Sequence, residues 1–370
     1  MLRLVSNSGL LLGEFDFFSE DEIVQLEQGD NSIFDFLSIF SLTSSILPQP
    51  YQKAAHSIGL SYKDSLKTVP IHRLKSSLLE VKKGIEKTLS DADNLIYFKN
   101  YLKMRRFLDS MQRPTIDLER LEDLISKQKY DGVKSNLKSF LTDDPTKYSM
   151  SNTATGRLSV TSGAKILTAP SEAKATLKSR YTNGKVLQID LTSAEPNFAL
   201  FYAGGEPMSD LYEFCADSVL SGRVDRDTAK LVLLSSIYGQ SEKNLKQNLP
   251  AGVSASQVVK HVKRFLSIDE TKQKLMSSWG EGNFRNYLCR PLKSSEQRLV
   301  ISHFLQSSVA ECALLMFAEF CEKNDVAPIF VIHDALVIDC EESVADRIMS
   351  KDFSFIFQGV KFPASVTQIT

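Results

Sequence analysis

Asp190, in Gln188-Ile189-Asp190-Leu191-Thr192-Ser193-Ala194-Glu195, and Asp334, in Val331-Ile332-His333-Asp334-Ala335-Leu336-Val337, each stand at the edge of a short apolar run. Such runs read as buried strands. A carboxylate at the end of a buried strand is costly unless something neutralises its charge. Two such strands can bring their carboxylates together around a cation, and Mg²⁺ needs only one or two carboxylates plus substrate phosphates. A pair of these ions about 3.5–4 Å apart activates an attacking hydroxyl and stabilises the leaving oxygen of an in-line displacement. Taken alone, each aspartate also reads as a turn residue at a strand end.

Between them lie Arg226, Lys230, Leu234 and Tyr238. Spacing by four places these along one face of a helix. Two cations at that spacing can clamp a triphosphate, and Lys230 can protonate a leaving pyrophosphate. Tyr238, followed by Gly239, offers a flat face for a base and room for close backbone approach. The plainer alternative is an amphipathic helix with exposed basic residues. A third group, Thr155-Gly156-Arg157-Leu158-Ser159, puts an arginine in a polar loop, where it can reach a phosphate or a minor-groove acceptor. Together these residues suggest phosphoryl transfer to or from a polyphosphate.

The elements that must position them follow from periodicity. Lys185–Asp190 reads as a strand and Ala194–Tyr202 as the helix after a turn. Helices are expected over Leu211–Val219, Asp225–Ser236 and Ala255–Leu266, and a long one over Gln297–Phe320 that carries Gln306. Pro328–Ile332 and Ala335–Asp339 form a hairpin with His333-Asp334 at its tip. An amphipathic helix near Val344–Met349 and a strand near Val360–Val366 close the chain. Ahead of this region, Ile71–Leu89, Ala92–Met111 and Leu118–Leu141 read as helices, and Leu2–Phe18 as a hairpin with Gly9 near its turn.

The totals are those of a globular protein: 42% hydrophobic, 24% charged, net charge −1 over 370 residues. The balance hides an acidic segment over 1–50 and a basic one from Lys53 to Arg106 that includes Lys99, Lys103 and Arg105. A basic stretch in a neutral chain fits a polyanion track, or simply solvated helix faces. The five cysteines are scattered without C-x-x-C spacing, which points to reduced thiols and no zinc site. No stretch near Met1 has signal-peptide length, and no run approaches the roughly 20 apolar residues of a membrane span. The expectation is a soluble, cytoplasmic protein with no membrane partner.

In order, the chain carries T-x-T-G-R-L-S, D-x-x-x-x-E after a strand, R-x-x-x-K-x-x-x-x-x-x-x-Y-G, a glutamine-bearing helix, and His-Asp between strands. This ordered set resembles the polymerase domain of the family A DNA polymerases, the DNA polymerase I-like enzymes of bacteria and many phages. The resemblance covers about residues 148–370. It implies an α/β (α+β) right-hand fold with an antiparallel-sheet palm, helical fingers and a helical thumb. The implied domains are an acidic appendage over 1–50, a thumb-like lobe over 51–147, palm over 148–205 and 296–370, and fingers over 206–295.

By the same resemblance, Asp190 and Asp334 are the ligands of two Mg²⁺ ions (Mn²⁺ as a substitute), with the Leu191 backbone carbonyl assisting. Glu195 is the steric gate against a sugar 2′-OH. Arg226 and Lys230 grip the incoming triphosphate beside Leu234, with Lys230 the general acid, and Tyr238 and Gly239 close over the templating base. Arg157, Gln306 and His333 contact DNA. The implied partners are primer–template DNA, dNTPs and, in a phage host's cytoplasm, a separate exonuclease or other replisome proteins. The residues ahead of 148 are too few for a thumb plus a 3′–5′ exonuclease domain, so intrinsic proofreading is not expected.

The sequence departs from the family pattern at several positions. Leu234 stands where an aromatic residue is usual, Ala335 where a glutamate follows the aspartate, and Ser302 where asparagine is frequent. Thr192-Ser193 and the Ala164–Pro170 segment keep only the family outline. Two alternatives stay open: a single-subunit RNA polymerase or primase-like synthase, against which Glu195 argues, and a catalytically silent DNA-binding homologue.

Overall fold

The computed structural model describes residues 2–5, 11–15, 24–26, 32–42, 50, 53–54, 57–59, 83–293, 296–349 and 352–370. The chain divides into two compact units, one of residues 1–102 with 289–291, the other of 103–288 with 292–370.

In the first unit, β1 (Leu2–Val5) and β2 (Leu11–Phe15) pair antiparallel with Leu2 opposite Phe15, the hairpin expected there. A third strand, β3 (Val24–Leu26), adds parallel to β1. Gly9 lies outside the described residues. Helix α1 (Ser32–Ile39) buries Phe36 against Phe98, centroids 4.6 Å apart, and Tyr101, 5.8 Å apart, both on α2 (Ala92–Asp109). Of the expected helix Ile71–Leu89, residues 83–89 are helical and 71–82 lie outside the described residues.

In the second unit, β4 (Thr115–Ile116) precedes the expected helix Leu118–Leu141, which is broken. Its pieces are α3 (Leu118–Lys127), α4 (Asp131–Lys138) and a 3₁₀ turn over Ser139–Leu141. Gln128 and Tyr130 are extended, and the break lets both helices turn Leu121 and Leu137 into one core. Strands β5 (Lys147–Ser149) and β6 (Ser159–Ser162) pair and carry the Arg157 loop between them. Strand β7 (Leu177–Lys178) pairs with β4.

The centre of this unit is an antiparallel five-stranded sheet. It uses β8 (Lys185–Leu191), β9 (Ala327–Ile332), β10 (Ala335–Cys340), β11 (Phe353–Phe357) and β12 (Val360–Gln368) in the order β11-β12-β8-β10-β9. Every residue of β10 is buried, so its sequence runs apolar without alternation, as expected of a strand covered on both faces. Its one charge, Asp339, accepts from Ser179 Oγ at 2.6 Å, Arg180 N at 2.9 Å and Arg180 Nε at 3.0 Å.

The helices between β8 and β9 are α5 (Ala194–Tyr202), α6 (Leu211–Phe214) running into a π-turn, α7 (Arg226–Tyr238), α8 (Glu242–Lys246), α9 (Ala255–Phe265), α10 (Ile268–Gly280) and α11 (Val300–Asn324). Helix α12 (Glu342–Met349) follows β10. Counted with its leading 3₁₀ turn, Gln297–Asn324 is long and apolar enough to cross a membrane, which corrects the expectation that no run approaches that length. It is a core helix, with buried residues from Val300 to Cys321, and an all-round apolar surface is what such a position selects. All five cysteines are free.

Candidate active site

Asp190 and Asp334 stand at the same end of two paired interior strands of the central sheet. Asp190 is the penultimate residue of β8 and sits in register with Ala335 on β10 and Ser365 on β12. His333 and Asp334 form the two-residue connection of the β9–β10 hairpin, in which Ile332 pairs with Ala335. His333 takes φ 57°, a left-handed conformation that glycine adopts more readily, so the tip is held in a costly shape. The Leu191 amide donates to the Asp334 carbonyl at 3.1 Å and ties the two strand ends together.

The two carboxylates are therefore neighbours, and their acidity shows it. Asp190 is pushed up to about 6, first by burial and then by the charge of Asp334. Asp334 is also raised by burial, with His333 and Arg157 pulling the other way. Among the described residues neither has an ion-pair partner, and the nearest relief for Asp190 comes from Lys174, whose Nζ donates to Gln188 Oε1 at 2.8 Å. Two crowded, partly buried carboxylates without a direct ion-pair partner among the described residues suit a divalent cation that completes its shell with substrate oxygens. No cluster of three or more acidic, histidine or cysteine ligands occurs among the described residues. Ala335, directly opposite Asp190 in the sheet and 3% exposed, leaves the position after Asp334 apolar.

Glu195, in the first turn of α5, is the hub of the next layer. Its carboxylate accepts from Arg157 Nη2 at 2.5 Å and from the Tyr238 hydroxyl. Burial raises Glu195, while Tyr238 and Arg157 oppose that rise. Tyr238 is pushed up to about 12, by burial first and by Glu195 next, so it remains a donor at any working pH. Gln306 on α11 also reaches the Tyr238 hydroxyl. Arg157, Leu158, Glu195, Gln306, His333 and Asp334, with Val309 and Ala310 on α11, line a cavity of about 290 Å³.

Helix α7 is capped by the Asp225 carboxylate, which accepts from Thr228 N at 2.8 Å, and ends at Gly239, whose φ of 66° closes the last turn. The expected face is present: Arg226, Lys230 and Tyr238 are exposed and Leu234 is half-buried, while Ala229, Val232, Leu233 and Ile237 face the core. Arg226 Nε contacts both oxygens of Asp210, at 2.9 and 3.1 Å. The Arg226 guanidinium and Lys230 Nζ lie 5.5 and 5.6 Å from the centroid of the Tyr212 ring.

The structure thus brings Asp190, Asp334, Glu195, Arg157, Tyr238, Gln306 and His333 together. Arg226 and Lys230 form a second cluster with Asp210 and Tyr212. Sequence reasoning missed Lys174, Asp210 and Tyr212. Gln188 shares a strand face with Asp190 by alternation and could have flagged the neighbourhood, but nothing local marks Tyr212.

No family model matches the chain, and no curated protein matches it in sequence. In three dimensions the chain is similar to the POL domain of Pol1 from M. smegmatis, solved in complex with DNA primer–template and dNTP. The TM-score is 0.60 at 14% sequence identity, covering 90% of this chain and 80% of that one. The chain has the mixed helix-and-sheet fold of a polymerase domain.

Proposed function

We propose that this protein is a template-directed DNA polymerase of the family A type, adding dNTPs to a primer 3′-OH. The observation that carries the reading is the juxtaposition of Asp190 and Asp334 at paired strand ends, beside a Glu195 held by Arg157 and Tyr238. On this reading the sheet with α5 and α11 is the palm, residues 206–295 are the fingers, and the helices within 51–147 are the thumb. Asp190, Asp334 and the Leu191 carbonyl would hold two Mg²⁺ ions, with Mn²⁺ a substitute. When bound, the ions supply Lewis-acid activation of the 3′-OH and charge relief at the phosphates.

The chain's own residues do the rest. Arg226 and Lys230 bind the triphosphate, and Lys230 delivers a proton to the departing pyrophosphate oxygen. Glu195 crowds the sugar 2′ position. Tyr238 and Gly239, at the end of α7, meet the base pair beside Leu234. Arg157, Gln306 and His333 line the cavity where the primer terminus would sit. Partners are primer–template DNA and dNTPs.

Primer extension on a defined template tests the reading, with each dNTP alone, all four together, and rNTPs. Template-matched extension by the wild type, lost in Asp190→Asn and Asp334→Asn, is expected. Binding of primer–template without any extension would overturn it, and preferential rNTP use would move the product to RNA.

A further inference from the structure

Arg226 is the first residue of α7 and Lys230 follows one turn later. Cations are disfavoured at this end of a helix, where the backbone dipole is positive. The Asp225 cap, Asp227 and the ion pair with Asp210 offset Arg226, while Lys230, one turn further in, has no ion-pair partner among the described residues. Both cations converge on one ring: Tyr212, 8% exposed at the start of α6, lies 5.5 Å from the Arg226 guanidinium and 5.6 Å from Lys230 Nζ. Asp210, which caps the same short helix by accepting from Glu213 N at 2.9 Å, holds the Arg226 Nε from the side. The charges of Glu195 and Asp334 both bear on the Tyr212 hydroxyl, so the ring lies at the margin of the acidic site.

We propose that Tyr212 is a positioning residue for the polyphosphate: its ring face holds Arg226 and Lys230 side by side and aims both at one anion. The inference rests on the polymerase reading for the identity of that anion, but not for its chemistry. An aromatic face attracts a cation without neutralising its charge or using up all its donors. A second carboxylate in that place would cancel the charge the ligand needs. Tyr212 thus orders two long side chains beforehand, which lowers the cost of ordering them on binding.

The test replaces Tyr212 with phenylalanine and then with mono-, di- and trifluorinated phenylalanines. Fluorine drains the ring face of negative charge with little change in shape. Inorganic tripolyphosphate is titrated calorimetrically into each full-length protein. Tyr212→Phe is expected to bind within about 2-fold of wild type. Affinity should then fall stepwise, by about 3- to 20-fold at the trifluorinated ring, with unchanged melting temperature. In dNTP kinetics the same series should raise KM stepwise, and kcat should fall with it, because Lys230 is also the proton donor. A flat fluorine series, or a wild type that does not bind tripolyphosphate, overturns the platform role. A stepwise series in a protein that never extends a primer leaves the platform standing and overturns the polymerase reading instead.

Discussion

Asp190 illustrates what the site costs the fold. Burial and Asp334 raise it to about 6, whereas an unfolded aspartate ionises near 3.9. A folded value above the unfolded one means that the native state binds the proton more tightly. Its relative stabilisation is complete below about pH 4 and is lost as pH rises through about 6. Asp190→Asn is therefore expected to stabilise the protein at pH 7.5 by about 1–2 kcal/mol after allowance for solvent reaching the group, with the gain vanishing near pH 4. Melting temperatures across that range check this, and an equal gain at both ends would assign the effect elsewhere. Glu195 carries a separate expectation. Its carboxylate is fixed from two sides, so Glu195→Ala removes a rigid group and not a swinging one. On the polymerase reading, the dNTP-over-rNTP ratio of kcat/KM should drop by at least about 10-fold, the scale on which a shaped cavity discriminates.

At the level of elements, the β9–β10 hairpin has to be held without a strand on its outer side, because β9 is an edge. Tyr148 takes that place. Its hydroxyl donates to the Val331 carbonyl at 3.0 Å and accepts the Val331 amide at 3.1 Å, as a neighbouring strand would. Arg105 in turn donates to the Tyr148 carbonyl at 2.8 Å. Tyr148→Phe keeps the ring and strips both bonds from a buried backbone pair two residues before His333. A loss of about 1–3 kcal/mol in urea unfolding is expected, and a neutral result would show that the edge satisfies itself. Strand β8, α5, α7 and the hairpin were legible because their apolar spacing is regular and their ends carry polar punctuation. Tyr148 was not, since a lone tyrosine before a polar loop gives no sign of a partner strand 183 residues away. The same holds for β11. Phe353–Phe357 is a short aromatic run whose strand character comes from packing on α11, where Phe320 meets Phe353 at 5.3 Å. Helix α10 is a different miss: Ser267 and Glu270 have capping-box spacing in the sequence, yet Ser267 takes φ 46° and its side chain makes no capping bond.

For the whole molecule, the decisive question is where the basic stretch of the sequence ends up. Its members do not share one fate. Arg105 is 3% exposed and spent on Asp109 and Tyr148, so it belongs to the scaffold and not to a polyanion track. Lys99, Lys103 and Arg106 are exposed along α2, at helical spacing that aligns them. Lys83 and Lys87 are exposed as well, and the remaining members between Lys63 and Lys82 lie outside the described residues. Sequence counting could not separate Arg105 from Arg106, because charge is visible in a sequence and burial is not. If the α2 face follows a DNA backbone, each contact releases about one condensed counterion, and log K for primer–template falls with log salt by about 0.9 per contact. Changing Lys99, Lys103 and Arg106 together to glutamine should then reduce the slope by about 2–3 and leave kcat on saturating DNA unaltered. Changing Arg105 alone should lower the melting temperature and leave the slope where it was. An unchanged slope in the triple variant would return these side chains to the role of a solvated helix face and place the DNA track elsewhere on the chain.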